Sequence, residues 1–119
     1  MVASDIYTYN AKCIRVIDGD SCVLNIDLGF KIWLKRSSRL TMINTPELNS
    51  PDEEIRLKAV AAKDALAGLI EGKDVRIKSH RLDKYGRPEV EIVVMTPGGD
   101  GIHVNQRMID DGHAVPYVS

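Results

Sequence analysis

Three short stretches carry polar side chains that packing does not demand: Asp18-Gly19-Asp20-Ser21, the run from Arg39 through Asn44-Thr45-Pro46-Glu47, and Asp83-Lys84-Tyr85-Gly86-Arg87. Singly, each has a plain conformational explanation. Asp and Gly favour turns, because Asp bonds its own backbone and Gly accepts a positive φ. A polar group can simply end an apolar strand, and a charged hairpin loop is solvated. Together the stretches supply what hydrolysis of a phosphodiester requires. Oxygen-bearing side chains suit a hard cation, and a carboxylate can orient or deprotonate water. Two guanidinium groups can offset charge that builds on phosphoryl oxygens.

Such a set works only if the backbone brings it together. Ala11 to Ile17 and Ser21 to Leu28 are β-branched and apolar with Asp18-Gly19-Asp20 between them, which predicts a hairpin. Gly29-Phe30 turns the chain again. Lys31 to Ile43 reads as one long third strand, bent or bulged at Ser37-Ser38 and ended by Thr45-Pro46. Pro51-Asp52-Glu53-Glu54 then places a proline and acids where a helix start favours them. Ile55, Ala59, Ala62, Leu66 and Leu69 recur at helical spacing up to Gly72. Lys73 to Arg81 and Glu89 to Met95 alternate as strands, Pro97 to Gly101 is a loop, and His103 to Asp111 forms a short helix with Val104, Met108 and Ile109 inward. Three strands, a helix and two strands is the order of a five-stranded OB-fold barrel with its helix between strands three and four, here followed by a short C-terminal helix.

Composition sets outer bounds. A chain of 119 residues with 44% hydrophobic content is expected to form one domain, spanning 1–119, around one core. No apolar run approaches the roughly 20 residues that cross a bilayer, and the N-terminus lacks a basic-then-apolar segment. The expectation is therefore a cytoplasmic protein without a membrane partner. Cys13 and Cys22 read as reduced, half-buried strand residues, and His80, His103 and His113 share no metal-ligand spacing. The net charge of −1 argues against a protein that coats DNA non-specifically, but the charge is uneven. Residues 31–43 carry four bases and no acid, and residues 73–87 carry six bases against Asp74 and Asp83. These segments form either one positive face or separate solvated strand faces.

At the three polar stretches, and from about Ala11 to Tyr117, the chain resembles the staphylococcal nuclease family; Val104-Asn105 leading to Gly112 also matches. The resemblance implies a nuclease that uses Ca2+ to cut the bond to the 5′ oxygen of DNA or RNA, leaving 3′-phosphates. It implies that Asp20 and the Thr45 carbonyl bind calcium, and that Asn44 stands at a third ligand position where the family's best-known member has an aspartate and other relatives have asparagine. Glu47 corresponds to the glutamate that positions or deprotonates water, and Arg39 and Arg87 to the catalytic arginines. Lys84 and Tyr85 correspond to residues that hold a terminal phosphate, and Tyr117 to a tyrosine that packs on a base. Base stacking of that kind favours single strands with little sequence preference.

Two departures shape these expectations. An amide at position 44 brings no negative charge, so calcium should bind more weakly, with Asp18 near enough to compensate. The family continues into a third helix beyond the position of Ser119, so a second copy could cover the patch such a helix would occupy, and both monomer and homodimer stay open. A nucleic-acid-binding OB module without catalysis is the rival reading; retention of Arg39, Glu47 and Arg87 favours the enzyme.

Overall fold

In the computed structural model, which describes residues 7–117, the hairpin forms as β1 (Thr8–Asp18) and β2 (Ser21–Asp27). Alternate residues Ala11 and Cys13 of β1 and Cys22, Leu24 and Ile26 of β2 point into the core, and both cysteines are free and fully buried rather than half-buried. β3 (Trp33–Leu40) pairs with β2 in unbroken register from Asp27↔Trp33 to Ser21↔Arg39. No bulge occurs at Ser37-Ser38. The irregularities lie in β1, between Cys13 and Arg15 and between Val16 and Asp18, where the Val16 N–H leaves the ladder and donates to Glu71 Oε2 at 2.8 Å.

The chain turns between β2 and β3 through three consecutive left-handed residues, Gly29, Phe30 and Lys31, with φ of 83°, 55° and 62°. The expected long third strand also breaks, at Thr41-Met42, where Met42 has φ 65°. A two-residue strand, β4 (Ile43–Asn44), follows and pairs with β8 (Val115–Pro116).

Helix α1 (Glu53–Ile70) starts as its acids predict, with Asp52 accepting the Glu54 N–H at 2.9 Å. Its buried stripe is Ala59, Ala62, Leu66 and Ile70, so Ile55 is exposed and Leu69 only half-buried. After it come β5 (Asp74–Leu82), β6 (Pro88–Met95), β7 (Gly101–His103) and α2 (Val104–Asp110), whose first residues are capped by His103. Each large aliphatic side chain buried here contributes roughly 1.5–3 kcal/mol.

The sheet runs β3-β2-β1-β5-β6-β7, and β3 returns to pair in parallel with β6 through Arg39↔Glu89 and Leu40↔Val90. Strands β1, β2, β3, β5 and β6 thus close a mixed five-stranded barrel, the OB-fold arrangement, with α1 joining its third and fourth strands. Buried Asn105 on α2 secures that closure. Its amide oxygen accepts the Ile92 N–H at 3.0 Å, and its NH2 donates to the carbonyls of Thr41 at 2.9 Å and Val90 at 3.1 Å. One side chain satisfies backbone groups on β6 and on the exit of β3.

Candidate active site

The β1–β2 turn sets the first part of the site. Asp18 Oδ1 accepts the Asp20 N–H at 3.0 Å, and the Asp20 carbonyl accepts the Leu40 N–H at 2.8 Å, which ties the turn to the end of β3. Gly19 is needed here by contact. A Cβ on it would lie 2.8 Å from Ala62 Cβ of α1 and 2.9 Å from Thr45 Oγ1. Only a bare backbone lets the helix and the 44–47 segment approach the turn so closely.

Asp20 therefore sits among groups of both signs. Its Oδ2 accepts the Thr45 N–H at 3.3 Å and lies 3.6 Å from the Arg39 guanidinium, while Ser21 Oγ donates to Oδ1 at 3.3 Å. Burial pushes the Asp20 carboxyl up to about 6, and the neighbouring Asp18 carboxyl pushes the same way; Arg39 and the Thr45 N–H pull it down without prevailing. Burial is the larger cause, and the cavity's three carboxylates, Asp18, Asp20 and Glu47, face two guanidinium groups, Arg39 and Arg87.

Arg39, the penultimate residue of β3, has Nη1 donating to the Leu40 carbonyl at 2.8 Å and Nη2 to the Ile43 carbonyl at 2.9 Å. These bonds clamp the β3–β4 bend and fix the guanidinium beside the Tyr117 ring, 5.7 Å from its centroid. Arg87 is held within its own loop. Its Nε donates to Asp83 Oδ2 at 2.7 Å, and Asp83 Oδ1 accepts the backbone N–H groups of Arg87 and Tyr85 at 2.9 and 2.8 Å. Burial pushes the Asp83 carboxyl up, but these bonds and the Arg87 charge outweigh it and hold the group below the usual carboxylate range. Asp83 is thus a positioning residue for Arg87.

These segments meet around a cavity of about 430 Å³ lined by Asp18, Asp20, Arg39, Asn44, Thr45, Glu47 and Arg87, among others. A neighbouring cavity of about 530 Å³ shares Arg39, Asn44 and Arg87 and adds Lys84, Tyr85 and Tyr117. Every site residue expected from the sequence therefore borders one of two adjoining spaces. Arg39 from the first basic segment and Arg81, Lys84 and Arg87 from the second surround the larger one, with Glu89 and Asp83 paired to two of them, so part of each basic segment meets there. Arg81, which sequence reasoning did not single out, pairs with Glu89 at 2.6 Å there.

A further grouping escaped the sequence because 11 and 12 residues separate its members: His80 and His103 each bond one oxygen of Glu91, at 2.5 and 3.0 Å. Among the described residues no three His, Cys, Asp or Glu side chains form a group that could hold a metal ion. A cation at the main cavity would therefore depend on amide and carbonyl oxygens beside its carboxylates.

Comparison with known families decides the relationship: the model of the family described as staphylococcal nuclease homologue matches residues 37–119. The chain belongs to the staphylococcal nuclease family. The matched segment contains Arg39, Asn44, Thr45, Glu47, Lys84, Tyr85, Arg87 and Tyr117, whereas Asp20 precedes it and reaches the site through the β1–β2 turn. No curated protein sequence matches the chain. Among the described residues no helix is long and apolar enough to cross a membrane.

Proposed function

We propose that this member of the staphylococcal nuclease family hydrolyses phosphodiester bonds of single-stranded DNA or RNA, with calcium as its cofactor, leaving 3′-phosphates. The observation that supports this most is the meeting of Asp20, Glu47, Arg39 and Arg87 around one cavity of about 430 Å³. The donor set fits a hard cation. The Asp20 carboxyl, held near 6 by burial and by Asp18, lies in a negative field that a cation would relieve, and Asn44 and Thr45 offer neutral oxygens beside it. Asp20, Asn44 and the Thr45 carbonyl would hold the ion. When bound, it supplies Lewis-acid polarisation of a phosphoryl oxygen.

The chain's own residues do the rest. Glu47, exposed at the cavity rim, orients water and accepts its proton. Arg39 and Arg87 both line this cavity and offer planar donors to the phosphoryl oxygens, where charge increases as water adds. Lys84, Tyr85 and Tyr117 line the adjoining space, which suits a flanking phosphate and a stacked base. Lys84 Nζ and the Arg87 guanidinium both lie over the Tyr85 ring, at 5.2 and 5.7 Å from its centroid, so that ring is framed by cations.

The test is incubation of the protein with denatured DNA and with RNA, in calcium or in chelator, beside Arg87→Ala. Calcium-dependent cutting is expected, with kcat reduced about 100-fold or more in the variant. Binding without cutting would instead make the chain a nucleic-acid-binding module.

A further inference from the structure

The far end of the barrel carries a second groove, of about 450 Å³, lined by Trp33, Asn10, Asn25, Lys12 and Arg76, with Asp74, Val75 and Met95 also on its wall. Cross-strand register places these side chains in two rungs on one face. Trp33 faces Asp27, which faces Asn10, which faces Arg76; Lys35 faces Asn25, which faces Lys12, which faces Asp74. Asp27 is engaged in its own turn, accepting the Gly29 N–H at 2.9 Å. The face therefore offers three exposed cations, Lys12, Lys35 and Arg76, against Asp74 and half-buried Asp27, beside an indole that is 54% exposed.

Along β3, Trp33, Lys35, Ser37 and Arg39 alternate onto this same face, their cross-strand neighbours being Asp27, Asn25, Val23 and Ser21. One strand thus leads from the groove to the guanidinium of the candidate active site. Six residue steps at about 3.3 Å separate Trp33 from Arg39, roughly 20 Å. That length reaches the short end of the track of one OB barrel on a single strand, about 4–16 nucleotides.

We propose that this groove is a second binding site for the single-stranded substrate, in which Trp33 stacks on a base and Lys12, Lys35 and Arg76 meet the phosphates on either side. The inference rests on the proposed nuclease function and extends it to strand length. A nucleic-acid strand fits better than a lipid surface because the site is concave, and because Asn10 and Asn25 offer amide donors and acceptors that base edges use and acyl chains do not. The mixture of an aromatic platform with cations is what backbone-tracking, sequence-tolerant binding employs.

Trp33 is the chain's single tryptophan, so its fluorescence reports on the groove directly. In chelator, a thymidine oligonucleotide of about 12 residues, within the span one OB barrel covers, should quench Trp33, whereas thymidine 3′,5′-bisphosphate should not, being too short to leave the active site. The double variant Lys12→Ser, Arg76→Ser should weaken binding of that oligonucleotide about tenfold and flatten its salt dependence. Cutting of a dinucleotide should be unchanged in the same variant, and KM rather than kcat should rise for the long substrate. Oligonucleotide binding seen by anisotropy with Trp33 silent overturns the proposal, as does failure to bind at all. Quenching and a blue shift with phosphatidylglycerol vesicles but not with the oligonucleotide would overturn it in favour of a lipid surface. Quenching by the oligonucleotide in a protein that never cuts would uphold the groove and remove the nuclease reading; cutting with Trp33 silent would do the reverse.

Discussion

At Asp20 the local forces oppose one another, and burial wins over the Arg39 guanidinium 3.6 Å away. An acid whose pKa rises from 3.8 to about 6 on folding favours the fold while protonated and opposes it once ionised. In cation-free protein its contribution is intact below about pH 4 and is lost as pH climbs through about 6, a change on the order of 3 kcal/mol at 1.36 kcal/mol per unit. Thermal unfolding in chelator should thus show stability falling across that window, and Asp20→Asn should melt higher than wild type above pH 6. A wild-type protein that gains stability from Asp20 over the same range would contradict this account. Asn44 presents the complementary case. Asn44→Asp adds a charge to the same cavity, so calorimetric titration should find calcium bound about tenfold more tightly. An unchanged affinity would mean that position 44 does not touch the ion.

Among the elements, the β1–β2 turn and α1 depend on each other through Gly19. Gly19→Ala would place a methyl 2.8 Å from Ala62 Cβ and 2.9 Å from Thr45 Oγ1, and neither neighbour has a flexible end to give way. The expected cost is about 1–3 kcal/mol by denaturant unfolding, together with a loss of cutting as Thr45 is pushed from Asp20. Element types were legible in the sequence wherever a periodic pattern met a local signal, as in α1 with its Asp52 cap or the Asp18-Gly19-Asp20 turn. The errors arose where long-range contacts decide. Thr41-Met42 lacks a glycine or proline to announce a bend, yet Met42 takes φ 65° because Arg39 holds the carbonyls of Leu40 and Ile43 and Tyr117 donates its N–H to the Met42 carbonyl at 2.9 Å. The bulge in β1 is likewise supported by Glu71, 55 positions later, which no local pattern could reveal. For the site, the three polar stretches drew attention by residue type, and it was the family resemblance they carry that named the residues now seen lining the two cavities. Neither could reveal that Asp83 orients Arg87, because that is a matter of side-chain geometry within one loop.

For the molecule as a whole, Asn105 is the residue on which closure depends. Asn105→Ala would remove this side chain's bonds to the Thr41 carbonyl and the Ile92 N–H, whereas the Val90 carbonyl keeps the Thr41 N–H at 2.9 Å. Buried backbone groups left without partners should lower stability by about 2–4 kcal/mol, read as a shift in the denaturation midpoint. Retained stability would show that water replaces the amide. The parallel join that Asn105 supports is only two register pairs long, and one of its members is Arg39 itself. On the other side of that join, Arg87 lies immediately before β6. Breathing that parts β3 from β6 would carry the two guanidinium groups away from each other while the rest of the sheet stays paired. Under the proposed function, cutting should therefore fall at a lower temperature than the one at which the barrel unfolds.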